Sequence, residues 1–277
     1  ILRLTYTSNT LILVENSTIT SIPDKIQAHF PDLTIIRNRE NLGYAGGNNA
    51  GIRTAMDRGA EYIFIVNNDI TLENDALTKC IAAMETSRHC AACQPLISFY
   101  NDHETIWACG TQFFFGYPRL FLKGHPLQRR GVQKTLFGLV GCAILFRTSA
   151  LKDTGLFDES LFLLHEETDW CIRAMHHNFS LGVVTDAVAY HKISKTIGMF
   201  SDDYLYYIGR NWLLVGKKNY GFIKYIYILL TELMFRFPYY IYHLLKRRQV
   251  KKIKFYIKGI YDGVRGHSGK VSLYESS

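Results

Sequence analysis

The sequence lacks several features that would place it quickly. It has no P-loop spacing and no GxGxxG fingerprint, so two common glycine-rich phosphate cradles are left out. No second cysteine pair follows His89-Cys90-Ala91-Ala92-Cys93 at zinc-ligand spacing. The six cysteines (Cys80, Cys90, Cys93, Cys109, Cys142 and Cys171) therefore read as reduced, buried thiols of a cytoplasmic protein. Charged residues are only 20% and apolar ones 48%, which excludes a disordered chain. The most apolar stretch, Phe222 to Leu245, is interrupted by Lys224, Glu232, Arg236 and Pro238. A spanning helix needs roughly 20 mostly apolar residues, so this stretch reads as an interfacial or hairpin helix. No internal repeat or low-complexity segment is visible.

What is present is unevenly charged. The net charge is +8, yet residues 201–277 alone hold 14 Lys/Arg against 5 Asp/Glu. The body is close to neutral and the tail is basic. Because that tail is also rich in Tyr, Phe, Ile and Leu, it suggests an anionic membrane surface and no nucleic acid.

Along the chain, residues 11–15 read as a buried strand running into a polar loop. Ile22 to Phe30 suits a short helix, and Leu33 to Arg37 a second strand. Residues 41–51 read as a Gly/Asn loop feeding a helix that reaches about Arg58. Glu61 to Val66 is a strand with Asn67-Asn68-Asp69 at its C-terminal end. A helix over 75–87 follows, with Asn74 as the expected cap. Residues 97–130 are less regular. Phe113 to Pro118 reads there as a strand and turn, and the rest as an acceptor-side loop. Strands are expected over 139–147, 181–184 and 188–190, and helices over 149–154 and 166–178. This alternation predicts an α/β, doubly wound, mostly parallel sheet. In such sheets ligands bind beyond the carboxyl ends of the strands, where Glu15, the glycine loop and Asp69 would all lie.

Four features could carry chemistry. Asp69 ends an apolar strand and suits a hard divalent ion shared with phosphate oxygens; the plain alternative is a turn or cap. At about 4 Å and an effective dielectric near 20, such a charge pair is worth roughly 4 kcal/mol. Glu166-Glu167-Thr168-Asp169 crowds acids at a helix start, either as a carboxylate base with an orienting neighbour or as ordinary N-terminal acids. His191 is a metal ligand or a hydrogen-bonded structural residue. The glycine loop offers backbone N–H groups to a phosphate.

Taken in order, the blocks 11–18, 41–52, 65–69, 141–147, 155–159, 165–173 with His191-Lys192, and 206–211 resemble glycosyltransferase family 2, in particular rhamnosyltransferase-like bacterial members. The resemblance runs from about residue 11 to 215. With the basic, aromatic tail over 201–277 read as a helical, membrane-associating appendage, the resemblance implies a GT-A fold over residues 1–200. It also implies an inverting transfer of a sugar, with rhamnose as first candidate, from a nucleotide-diphosphate sugar to a glycan or lipid-linked glycan in cell-surface polysaccharide synthesis. Glu167 is the implied base, with Glu166 as its substitute. Asp69 and His191 are the implied ligands of Mn²⁺ or Mg²⁺. Glu15, Asn16, Asn41, Gly43, Gly46, Asn49, Asn67, Asn68 and Arg210 are the implied nucleotide-sugar contacts. Asn67 stands where many family members have Asp, which implies weaker metal affinity. The family's first apolar strand is expected to precede residue 1. The implied location is the inner face of the cell membrane, peripherally bound. Two alternatives stay open: a truncated, non-catalytic GT-A module partnering another transferase at the membrane, and a sugar nucleotidyltransferase. A processive synthase is excluded by the absence of a Gln-x-x-Arg-Trp segment. The enzymatic reading requires Asp69, Glu167 and His191 to meet at one edge of the sheet.

Overall fold

The computed structural model describes residues 4–17, 21–129, 132–134, 137–192 and 200–273. Thr18 of the first resembling block, and residues 130, 131, 135 and 136 of the middle segment, lie outside the described residues.

The first strand, β1 (Ile12–Glu15), is followed by α1 (Ser21–His29) and β2 (Thr34–Arg37). β1 and β2 form a parallel two-stranded sheet of their own. Next come α2 (Gly43–Asp57), β3 (Tyr62–Val66), β4 (Ile70–Leu72) and α3 (Ala76–Glu85). β5 (Cys90–Phe99) and β6 (Asp102–Ala108) form an antiparallel pair, as do β7 (Thr111–Phe114) and β8 (Tyr117–Leu120). The chain continues through β9 (Val132–Lys134), β10 (Ala143–Arg147), α4 (Thr148–Thr154), α5 (Glu166–His176) and β11 (Ser180–His191). It ends in helices α6 (Asp202–Asn219), α7 (Phe222–Thr231), α8 (Phe237–Lys246) and α9 (Ile253–Arg265). A π-helical segment, Glu232–Arg236, joins α7 to α8.

The central sheet runs β3-β10-β5-β11-β4, with β6 added on β5 and β9 on β11. The α/β class is as expected, but the sheet is mixed rather than mostly parallel. β5 and β11 pair in parallel, whereas β10 is antiparallel to both β3 and β5 and β4 is antiparallel to β11. It follows that β3, β5 and β11 share one direction and end at the same edge.

Four local readings change. The glycine-rich stretch is already helix from Gly43, because small residues let α2 lie against β1: a Cβ at Gly47 would stand 2.8 Å from Asn16 Nδ2. The segment over 181–190 is one strand rather than two. Val184 pairs with Pro95 and Val188 with Leu96, so residues 185–187 bulge where proline supplies no N–H to the ladder. Most of the expected acceptor loop is regular β5–β8 structure. The N-cap of α3 is Asp75, which makes no side-chain capping bond; the Asn74 carbonyl instead accepts from Thr5 N at 2.8 Å.

One apolar core lies between the sheet and helices α2, α4 and α5, around Ile52, Phe146, Leu151 and Trp170. A second, around Tyr206, Trp212, Leu244 and Tyr256, joins the C-terminal helices to Phe137, Leu161 and Ile172. α6 and α9 touch backbone to backbone, since a Cβ at Gly259 would collide with the Tyr206 carbonyl. All six cysteines are buried free thiols. No helix among the described residues is long and apolar enough to cross a membrane.

Candidate active site

Asp69 sits in the turn between β3 and β4. The turn is tied at both ends: Asn67 N donates to Cys142 O (2.9 Å) and Lys192 N donates to Asp69 O (2.9 Å). β4 pairs Ile70 opposite His191, which brings the end of β11 alongside the turn. The side chains then meet, with His191 Nε2 3.2 Å from Asp69 Oδ2. Both are largely buried. The His191 Nδ1 atom is buried and has no hydrogen-bond partner among the described residues. The ring of Trp107 meets His191 edge-on at 4.3 Å.

The two glutamates open α5, and the loop that delivers them is unusual. Phe162, Leu164 and His165 have φ of 64°, 71° and 73° without being glycine, a conformation costing about 1–3 kcal/mol each. Asn211 holds this loop, its Nδ2 lying 2.7–2.8 Å from the carbonyls of Leu161, Leu163 and Leu164. On its other side the Phe162 carbonyl accepts from Tyr44 N at 2.7 Å. Gly43 has φ +72°, and a Cβ there would run into that same carbonyl. The bend thus fixes where Glu166 and Glu167 begin the helix.

A helix N-terminus favours acids, but burial prevails here. Glu166 is 3% exposed, and its Oε2 is buried with no partner among the described residues. Burial, and then the charge of Glu167, push its carboxyl well above the ordinary glutamate range. Burial also raises Glu167, which remains partly accessible. The third acid, Asp169, is spent elsewhere: it accepts from Arg173 Nε (2.8 Å), Lys218 Nζ (3.1 Å) and Asn219 Nδ2 (2.8 Å).

Tyr44 and Cys142 connect the two sets. The buried Tyr44 hydroxyl donates to Gly141 O. Its pKa is raised by burial and then by the charges of Glu166, Glu167, Cys142 and Asp69. The Cys142 thiol is raised by burial, then by Asp69 and Glu167. Backbone bonds link the two sets through Tyr44: its N–H donates to Phe162 O in the loop before the glutamates, its hydroxyl holds Gly141 O, and the next carbonyl, Cys142 O, accepts from Asn67 N in the Asp69 turn. The structure brings Asp69, His191 and the glutamate pair into one neighbourhood at the sheet edge. Two surface hollows, about 740 Å³ beside Phe222 and Ile223 and about 430 Å³ beside Asp158, Asp169 and Lys218, have none of Asp69, His191, Glu166 and Glu167 in their lining.

The remaining expected residues divide. Asn67 and Asn68 share the Asp69 turn, and Asn68 is exposed. Glu15 ends β1, and its Oε1 accepts from Ser17 N at 2.7 Å. Asn16 is a buckle: it donates to Gly43 O (2.8 Å) and accepts from Leu42 N (3.1 Å) and Asn38 Nδ2 (3.0 Å). Asn41 Oδ1 accepts from Gly43 N at 2.9 Å, and Gly46 packs on Leu42. Two side chains expected at the donor are engaged inside the fold. Asn49 is buried, donating to Phe157 O and Glu159 Oε1 and accepting from Phe157 N. Arg210 is fully buried and donates to Leu161 O, Gly269 O and Asn211 Oδ1. It staples the C-terminal segment to the strained loop rather than reaching a cleft.

Sequence reasoning passed over Tyr44, Cys142 and Trp107. Tyr44 lies inside a block whose sequence signal is its glycines and asparagines. Trp107 carried no spacing signal. Trp170 and Trp212 are buried and donate their indole N–H groups to the Gly155 and Gly116 carbonyls, while Trp107 stays partly exposed beside His191.

Among the described residues no three or more His, Cys, Asp or Glu gather as a metal-holding group. The Asp69–His191 pair supplies one carboxylate and one imidazole whose Nδ1 is unbonded. That donor set fits a hard divalent cation completing its shell from phosphate oxygens and water.

A family model described as glycosyl transferase family 2 matches residues 1–155. The dTDP-rhamnosyl transferase RfbF of Shigella flexneri is 23% identical over 281 residues, covering 94% of this chain and 87% of that protein. The low-salt glycan biosynthesis hexosyltransferase Agl10 of Haloferax volcanii is 25% identical over 253 residues, covering 86% and 78%. Among solved structures, GalNAc-T7 with UDP, GalNAc and Mn²⁺ aligns with a TM-score of 0.60 at 13% identity. That alignment covers 93% of this chain, which spans 52% of GalNAc-T7. The mannosyltransferase PcManGT of Pyrobaculum calidifontis, with GDP-Man and Mn²⁺, aligns with a TM-score of 0.56 at 12% identity, covering 95% and 80%. These neighbours give the fold as GT-A.

Proposed function

The chain belongs to glycosyl transferase family 2, and we propose that it transfers a sugar, rhamnose being the first candidate, from a nucleotide-diphosphate sugar to a glycan or lipid-linked glycan hydroxyl with inversion. The observation that supports this most is the Asp69–His191 pair, tied through Cys142, Gly141 and Tyr44 to the loop that opens on Glu166 and Glu167. The candidate donor and acceptor follow the Shigella and Haloferax relatives.

In this reading Asp69 and His191 hold a divalent ion, Mn²⁺ or Mg²⁺. When bound, the ion neutralises charge on the departing diphosphate. Glu167 is the base. It is the more accessible of the two glutamates, and its raised pKa brings its proton affinity nearer to that useful for general-base work. The acceptor oxygen bonds to the anomeric carbon as its proton passes to Glu167. The bond from that carbon to the diphosphate oxygen breaks, and its electron pair leaves with the diphosphate. A single displacement of this kind inverts the centre. Glu166, more deeply buried, shares the pair's titration. Trp107 offers an apolar ring at the edge of the cluster, on which a sugar face could rest. Of the expected donor contacts, Glu15, Asn67 and Asn68 are not committed to packing. An anionic membrane surface on the cytoplasmic side is the proposed setting.

The test is a panel of nucleotide sugars, dTDP-rhamnose included, presented with Mg²⁺ or Mn²⁺ and read by thermal shift and by release of nucleoside diphosphate. The expected result is one donor that both stabilises the protein and turns over. Absence of any stabilisation or turnover across the panel would contradict the reading.

A further inference from the structure

The C-terminal helices present an inverted surface. Glu232 and Arg236 lie in the π segment and pair with each other in the interior, and Tyr256 donates its hydroxyl to Glu232. The three residues between them, Leu233, Met234 and Phe235, face out, with Met234 65% exposed. On α7, Phe222 and Ile223 are 78% and 86% exposed. The face continues onto the β7–β8 hairpin, where Phe115 lies 5.8 Å from Phe235. Contiguous exposed apolar surface of this extent marks an interaction site.

The charges say what covers it. Between Phe222 and Lys258 there are nine Lys/Arg and one acid, Glu232; Arg236 pairs with Glu232, Lys252 with Asp202 and Lys258 with Asp262, and the other six cations have no ion pair among the described residues. Lys246, Arg247, Arg248, Lys251, Lys252 and Lys254 cluster at and beyond the end of α8. Two copies of such a surface would repel each other. An apolar, aromatic face bordered by cations fits the interface of an anionic leaflet.

The face is built onto the candidate site. The Arg236 guanidinium lies 3.7 Å over the Tyr117 ring. The Tyr117 hydroxyl is 3.4 Å from His165 Nε2, and His165 immediately precedes Glu166. We propose that α7, the π segment, α8 and the hairpin tip form an insertion face for an anionic bilayer, holding the Glu166–Glu167 loop beside the lipid surface so that the acceptor is lipid-linked. The acceptor half of this inference rests on the proposed transferase reading; the docking half does not.

Flotation of the purified full chain tests it with vesicles of phosphatidylcholine alone and of phosphatidylcholine mixed equally with phosphatidylglycerol. The chain should float with the mixed vesicles and bind pure phosphatidylcholine on the order of tenfold more weakly. The double substitution Met234→Glu/Phe235→Glu should release it from both, with its melting temperature and nucleotide-dependent thermal shift retained. Lys246→Glu/Lys251→Glu should remove only the preference for phosphatidylglycerol. Equal flotation of the Met234→Glu/Phe235→Glu protein and the unsubstituted chain would overturn the proposal. So would no flotation by the unsubstituted chain, or a dimer in solution that this double substitution dissolves. Vesicle binding with no turnover of any nucleotide sugar would instead count against the transferase reading and leave the docking face standing.

Discussion

The sheet edge around Asp69 and the outer face of α7–α8 depart from water-soluble packing in opposite senses. At the edge, carboxyl groups are taken out of water: Glu166 is 3% exposed and has a polar atom with no partner among the described residues. On the outer face, apolar side chains are left in water while the ion pair Glu232–Arg236 is turned inward. Each departure costs free energy in the isolated protein, and each is sensible once a ligand is added. A cation and an acceptor hydroxyl would use the carboxyl groups, and a leaflet would cover the apolar face. The difference between the two lies in how they are held. The edge is fixed by strained backbone and by Asn211, whereas the face is fixed by a buried salt bridge.

That comparison can be broken at several points. The largest expected effect is at Glu167. Glu167→Gln should lower kcat by about 10²–10⁴-fold, the usual worth of a positioned base, in a diphosphate-release assay. Arg236→Leu leaves Glu232 buried without its cationic partner and should cost about 3–5 kcal/mol of stability by denaturant unfolding. A loss below 1 kcal/mol would show that the pair does not anchor the face. The pH dependence is subtler. Glu166 and Glu167 have folded pKa values above the unfolded ones, so folding favours their protonated forms. Their contribution is complete below the unfolded glutamate pKa of about 4.3 and is lost as pH rises through the folded values. Melts recorded against pH should therefore show Glu166→Gln gaining on the unsubstituted protein as pH rises above that range. The acid limb of kcat should also lie above the pKa of an ordinary glutamate. The smallest effect is at Trp107, where Trp107→Ala should raise KM several-fold, about 1 kcal/mol, with kcat little changed if the ring only supports a sugar.

The strand that leads to Asp69 was legible because β3 is apolar and stops abruptly at Asn67-Asn68-Asp69, whereas the three-residue β4 that follows was too short to show. The acids of α5 were legible as a cluster. Their separate fates were not, since Asp169 is diverted by Lys218 and Asn219, some 50 residues away. Residues 43–51 read as loop because glycine and asparagine rank low as helix formers. Contacts with Asn16 and Phe162, remote in sequence, require those small residues within a helix. β5 was obscured by Cys, Ala, Gln and Pro, few of which favour strands. β11 reads as two pieces because Thr185-Asp186 interrupts its apolar run. Arg210 aligned with a family segment, but its partners Leu161 and Gly269 lie far off in sequence, so its burial had no local signal. The π segment had none either.

One split measurement addresses the claim that Asp69 and Glu167 serve a single reaction in different roles. Thermal shift with nucleotide sugar and Mg²⁺, and diphosphate release from that donor, would be recorded together for Asp69→Ala and Glu167→Gln. The account predicts that Glu167→Gln keeps the thermal shift and loses turnover, while Asp69→Ala loses both. Turnover by Glu167→Gln at the unsubstituted rate, or a full metal-dependent shift in Asp69→Ala, would contradict it.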